Sequence, residues 1–151
     1  MTTPTTIDSQ APVVARHEVM VNAPLERVWA AHLAVREWVG WQPDITGLMA
    51  SADTLAPGVT FDWSSGGLQI HTTVYVVDRQ RHETLWGGPA HGVTAVHHWV
   101  FTEVERGVRV QTEESWAGEA VGADVPRMQQ ALDASLIAWL GRLKGHAERS
   151  A

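Results

Sequence analysis

An α+β fold, with about seven antiparallel strands curved around one long C-terminal helix and two short helices after the first strand, follows from three features of the sequence. The last stretch, Asp124 to Arg149, has the apolar spacing of a single amphipathic helix. From Val59 to Trp116, segments that alternate apolar and polar residues are separated by turn-forming clusters, as in a meander of hairpins. A strand-like opening segment, Val13 to Asn22, runs directly into a short helical pattern.

The C-terminal segment carries the clearest signals. Asp124 stands at the N-cap position and Pro126 in the first turn, where a missing N–H costs little. Met128, Leu132, Ser135, Leu136, Trp139 and Leu143 fall on one side of the helix. Arg127, Gln130, Asp133, Ala134, Gly141, Lys144 and Glu148 fall on the other. Gly141 and Gly145 each weaken the helix by roughly 1 kcal/mol relative to alanine. Burial of the apolar side must therefore supply most of its stability, and that side needs a sheet to lie on.

Earlier elements follow in order. Val13 to Asn22 alternates as a half-buried strand does. Asn22 is positioned to cap the next helix, with Pro24 in its first turn and Leu25, Val28, Trp29 and His32 at helical spacing. A second short helix covers about Val35 to Val39. Ile45 to Ala52 reads as a short strand and Ala56-Pro-Gly58 as a turn. Val59 to Trp63 is a strand, Ser64 to Gly67 a hairpin turn, and Leu68 to Asp78 a strand rich in Ile, Val, Thr and Tyr. Arg79 to His82 turns into a strand at Glu83–Trp86, and Gly87 to Gly92 reads as a loop able to act as a lid. Gly92–Val104 and Val108–Trp116 form the last hairpin.

Composition narrows the function. The 151 residues carry a net charge of −6 with no basic run, which argues against nucleic acid as a partner. There is no cysteine, hence no thiol nucleophile or thiolate metal site. No apolar run approaches the roughly 20 residues of a membrane span. Met1 to Pro12 lacks the order of a signal peptide and reads as a flexible tail on a cytoplasmic protein, ahead of a single domain over residues 13–151. Eight tryptophans against one tyrosine and two phenylalanines suit a roomy interior. The sequence has no HExxH, no phosphate-loop lysine after Ser64–Gly67 and no GxSxG elbow.

The segments EVMVNAPLERVW, EWVGWQPDI, LAPGVTFDW, HHWVFTEVERGVRVQTEES and LGRLKGHAE, in that order, resemble the SRPBCC superfamily, the START and birch-pollen-allergen type of helix-grip fold. They are most similar to its polyketide cyclase/dehydrase-like members. No single motif is diagnostic; their order from about Val13 to Glu148 carries the resemblance. It implies a deep apolar cavity between the curved sheet and the C-terminal helix. It does not choose a function, because members include cyclases, carriers of lipids and quinones, hormone receptors and chaperone activators.

Strand parity selects what faces that interior. His97, Trp99 and Phe101 share one face and His98, Val100 and Thr102 the other; ring burial favours His97 inside. A three-residue turn at Glu105–Gly107 would put His98 inside instead. Val108, Val110, Thr112, Glu114 and Trp116 form the inward set of the last strand. Glu114 is the candidate acid–base group, since a carboxyl in an apolar interior has its pKa raised by desolvation, and His97 is its candidate partner. Trp38, Trp41, Phe61, Trp63, Trp86, Trp99, Phe101, Thr112, Trp116, Met128, Leu132 and Trp139 are the candidate ligand-binding residues.

Two functions are compatible with this pattern. One is a polyketide cyclase/dehydratase-type enzyme that binds a hydrophobic, planar or polyketide-like molecule and cyclises or dehydrates it by proton transfer. The other is a non-catalytic carrier or sensor of an apolar ligand such as a lipid or quinone. Neither requires a metal or a cofactor, and the chain is expected as a monomer or homodimer. Two polar groups facing each other in the interior would favour the enzyme, and a wholly apolar, satisfied interior the carrier.

Overall fold

The structure, a computed structural model, describes residues 3–65 and 67–149. In chain order the elements are β1 (Val13–Val21), α1 (Leu25–Leu33), a 3-10 turn (Val35–Gly40), β2 (Thr46–Ala50), β3 (Thr60–Ser65), β4 (Leu68–Asp78), β5 (Glu83–Ala90), β6 (Val93–Val104), β7 (Gly107–Ala117), α2 (Glu119–Gly122) and α3 (Val125–Arg149). The seven strands form one antiparallel sheet in the order β1-β7-β6-β5-β4-β3-β2. This is the α+β helix-grip arrangement that the alternation and the long amphipathic terminus predict. Of the expected Ser64–Gly67 turn, Gly66 lies outside the described residues.

α3 begins as its sequence predicts. The Asp124 carboxylate accepts from the Arg127 N–H at 3.2 Å, satisfying one free donor of the first turn. Its buried stripe is Leu132, Leu136, Trp139, Leu140, Leu143 and Ala147, while Ser135 is exposed and Met128 half-buried. The stripe is rotated from the expected one because α3 lies over β1 at the sheet's edge. Gln129 Nε2 donates to the Val14 carbonyl at 3.0 Å and Lys144 Nζ to the Met20 carbonyl at 2.7 Å. Glu148 accepts from the Asn22 N–H at 2.8 Å. The helix thus satisfies backbone groups that an edge strand would otherwise leave open to another chain.

Two local expectations are corrected. Asn22 does not cap α1; its N–H is held by Glu148, and α1 starts after Pro24, whose carbonyl takes the first helical N–H groups. Gly87 to Gly92 is not a lid loop either, because β5 continues to Ala90. A Cβ on Gly87 would stand 2.3 Å from the Ala95 carbonyl oxygen, and one on Gly88 2.1 Å from that of His71. These glycines let neighbouring strands approach closely, which is a packing role.

The N-terminal segment, read as a flexible tail, meets the sheet's outer face. Ile7 is buried there with Leu85 and Val96, and the Asp8 N–H donates to Ser115 Oγ at 3.0 Å. The inner face carries the main core. One cluster unites Trp29, Trp38, Trp86, Trp99, Phe61, Phe101 and Trp139, and a smaller one unites Val13, Ala15, Val93, Val121, Leu132 and Leu136. No helix among the described residues is long and apolar enough to cross a membrane.

Candidate functional site

β6 and β7 meet through a tight turn that pairs Val104 with Gly107, leaving Glu105 and Arg106 between them. That register places His97 opposite Glu114, Trp99 opposite Thr112 and Phe101 opposite Val110, all on the inner face. His98 is on the outer face, where its ring stands 3.1 Å from Glu113 and 3.5 Å from Glu83, in a ladder that continues through Glu113 to Arg16 at 2.7 Å. The turn therefore settles between the two histidines in favour of His97.

His97 Nδ1 lies 3.1 Å from Glu114 Oε1. The other carboxyl oxygen of Glu114 accepts from Trp116 Nε1 at 2.7 Å. His97 Nε2 lies 2.7 Å from Thr112 Oγ1, and the Thr112 hydroxyl donates to the His98 carbonyl at 2.9 Å. The His97 side chain is 7% exposed and that of Glu114 13%, so the carboxyl is the member of the pair that reaches solvent. Burial pushes the Glu114 carboxyl up to about 7, although the indole N–H of Trp116 pulls the other way. Burial, with smaller contributions from His32 and His98, holds His97 well below the usual histidine value. At neutral pH the contact is thus better described as a hydrogen bond with one shared proton than as an ion pair.

The expected ligand-binding residues divide in two. Trp38, Phe61, Trp86, Trp99, Phe101, Thr112 and Leu132 are all at most 3% exposed. Their rings touch one another: Trp38 packs on Phe61 and Trp139 at centroid distances of 5.4 Å, and His97 packs on Trp99 at 4.9 Å. These rings occupy the space between sheet and helix where the resemblance implies a deep cavity. Large aromatic side chains supply enough volume to close it, which is why tryptophan content misleads as a sign of room. Trp41 is away from the pair, stacked on His146 at 5.2 Å. Trp63, Trp116 and Met128 are only half-buried; Trp116 bonds Glu114, Trp63 packs on the main aromatic cluster and Met128 on the smaller one. Trp63 bonds Thr72 Oγ1 through its indole N–H at 3.0 Å and meets Trp139 edge-on at 6.1 Å.

A second buried histidine was not singled out as a site from the sequence. His32 of α1 is 1% exposed, its Nε2 lies 2.7 Å from Thr84 Oγ1, and it stacks on Trp86 at 5.3 Å. Its position in the Leu25, Val28, Trp29 stripe signals an inward ring, but its threonine partner is on a distant strand. Trp116 as a donor to Glu114 was legible in principle, since residues two apart on a strand share a face. Among the described residues no group of three or more His, Asp or Glu side chains is placed to hold a metal.

Comparison with known structures places this geometry in a class. The chain has the fold of the START-type helix-grip proteins. A START superfamily protein of Mycobacterium smegmatis superposes with a TM-score of 0.78 at 14% identity, covering 91% of this chain and 99% of that one. A hypothetical protein of Helicobacter pylori superposes with a TM-score of 0.79 at 18% identity, covering 97% and 99%. Norcoclaurine synthase of Thalictrum flavum, solved as a point mutant with a transition-state analogue, superposes with a TM-score of 0.72 at 14% identity, covering 91% and 96%. No protein-family model matches the chain, and no curated protein matches it by sequence. The resemblance read from the sequence therefore holds at the level of the fold.

Proposed function

We propose that this chain binds a planar, hydrophobic or polyketide-like carbonyl compound beside Glu114 and catalyses its cyclisation and dehydration by proton transfer. The observation that carries this reading is the 3.1 Å contact between His97 Nδ1 and Glu114 Oε1 at the only partly solvated edge of an aromatic core. A carboxyl poised near neutrality can give a proton and take one back within a single cycle. In the dehydration step Glu114 protonates a departing hydroxyl, which leaves as water, and the resulting carboxylate takes the proton from the adjacent carbon. The half-buried Trp116, whose indole bonds Glu114, would flank the substrate and exclude water. That one of the fold's structural neighbours is a synthase supports a catalytic use of this architecture. The carrier reading calls for an enclosed void, and the packed rings weigh against it.

The test combines binding with turnover. Acetylnaphthalene, a planar aromatic ketone, should quench tryptophan emission saturably and raise the melting temperature, because it binds only the folded state. Glu114→Gln should leave both effects nearly intact. On a substrate identified by mass spectrometry of co-purifying compounds, the same variant should lose at least ~10²-fold in turnover. Unchanged turnover in Glu114→Gln would clear Glu114 of the proposed role, and no saturable quenching would remove the binding site itself.

A further inference from the structure

The hydroxyl of Thr112 has one hydrogen and two acceptors within reach, the His98 carbonyl and, in one tautomer, His97 Nε2. The carbonyl, 2.9 Å away, can only accept, whereas Nε2 can also donate. When the carbonyl takes the hydrogen, Thr112 Oγ1 meets His97 Nε2, 2.7 Å away, with a lone pair, and Nε2 carries a proton. A neutral imidazole with a proton on Nε2 presents a bare lone pair at Nδ1. That lone pair faces Glu114 Oε1 at 3.1 Å. A carboxylate there would set lone pair against lone pair, whereas a protonated carboxyl closes a hydrogen bond.

We propose that Thr112 is a positioning residue: by spending its hydroxyl hydrogen on the His98 carbonyl, it holds His97 as the Nε2–H tautomer and makes Glu114 the resting holder of the shared proton. The site is thereby set as an acid before substrate arrives. A substrate that must first be protonated on oxygen suits it, and one that must first lose a carbon-bound proton does not. The inference rests on the acid–base reading for its catalytic meaning, but the hydrogen-bond geometry stands without it.

The surroundings leave Thr112 as the deciding group. From α1 the titratable neighbour is His32, which burial keeps neutral down to about 3. From β1, His17 pairs with Thr112 in register, and its Nε2 is engaged by Asp133 of α3 at 2.7 Å. From the outer face, His98 is held between Glu83 and Glu113. On β7 itself, Trp116 donates to the far oxygen of Glu114, away from His97.

Removal of the hydroxyl has a predictable sign. In Thr112→Val the ring is free to move its proton to Nδ1 and donate it to Glu114. That stabilises the carboxylate, so the pH at which Glu114 ionises should fall. Thr112→Ser keeps the hydroxyl and should retain the native value.

Ring-nitrogen NMR of the full-length, isotope-labelled protein reads the tautomer without any substrate, with His97 assigned by its loss in His97→Asn. At neutral pH the wild type should show a protonated Nε2 and a bare Nδ1. Thr112→Val should shift the pattern toward a protonated Nδ1 and lower the Glu114 titration followed by carboxyl-carbon NMR, and Thr112→Ser should do neither. A wild-type ring with its proton on Nδ1, or with both nitrogens protonated at neutral pH, overturns the proposal even if the valine variant fails to fold. So does a Thr112→Val ring identical to the native one. Failure of the turnover test with a confirmed Nε2–H tautomer would discard the enzyme reading and leave the positioning role standing.

Discussion

His32 and His97 occupy the same aromatic core, and each has its Nε2 2.7 Å from a threonine hydroxyl. Trp86 touches both rings, stacked on His32 and edge-on to His97, at 5.3 Å in each case. Their chemical prospects nevertheless differ. His32 is sealed among Trp29, Trp38, Trp86, Trp99 and Phe101, with no carboxyl beside it among its described contacts. His97 has Glu114 at 3.1 Å, and Glu114 reaches solvent. A buried histidine bonded to a threonine is by itself a structural part. It becomes a candidate for chemistry when a second titratable group shares its proton and a path to solvent exists.

Burial predicts pH effects of opposite sign for His32 and for the Glu114 carboxyl. The larger of these two belongs to His32, lowered by burial from 6.5 to about 3. Below pH 6.5 the unfolded chain takes up a proton that the folded core refuses, so stability falls as pH drops from 6.5 toward 3. The contribution is on the order of 5 kcal/mol at the acid end of that window. In His32→Leu, urea unfolding measured across the window should lose that part of the slope, although Thr84 left without its ring partner will cost roughly 1–3 kcal/mol at every pH. If the variant keeps the full wild-type slope, His32 is not buried neutral, and the contrast with His97 fails at its deeper member.

Glu114 works the other way, at somewhat smaller size. Its pKa is raised by burial from 4.5 to about 7 in the folded protein. Between those values the unfolded chain has released the proton while the folded chain still holds it. Stability therefore falls as pH rises through this window, by about 3 kcal/mol in all, and levels off above it. Glu114→Gln removes the group, so the stability difference between variant and wild type should widen from pH 4.5 to about 7 in favour of the variant. Parallel curves for the two proteins would mean that the carboxyl ionises as it does in water.

Much of this contrast was legible in the sequence, and the limits have physical causes. Alternation in VTAVHHWVFTEV and GVRVQTEESWA gives the inward sets directly, because side chains alternate across a strand. The choice between His97 and His98 was left to ring burial, because Glu105-Arg106-Gly107 is compatible with more than one turn length. Gly87 and Gly88 read as a loop because the reason for them, close approach to Ala95 and His71, lies on neighbouring strands. The filled interior was missed for the same kind of reason: composition counts rings, whereas Trp38, Trp86 and Trp139 close the space only through where the fold brings them together. Thr84 beside His32 is likewise a tertiary fact.

The smallest effect sharpens the comparison most, because it acts on Glu114 and leaves His32 alone. The indole N–H of Trp116 donates to Glu114 Oε2 at 2.7 Å, on the side of the carboxyl away from His97. A donor there favours the charged form and opposes the burial that raises the pKa. Trp116→Phe keeps an aromatic ring on the half-buried face but removes the donor. Glu114 should then ionise at a higher pH, a change opposite in sign to that expected for Thr112→Val. Carboxyl-carbon NMR of Glu114 against pH reads the change directly. The His32 ring signals should stay those of a neutral imidazole throughout, since burial in a core that this substitution does not touch keeps the ring neutral. A Glu114 titration that stays put or moves down in Trp116→Phe would show that the indole does not bond the carboxyl in solution. The carboxyl would then be oriented by His97 alone, and the pair's proton would be governed from the Thr112 side only.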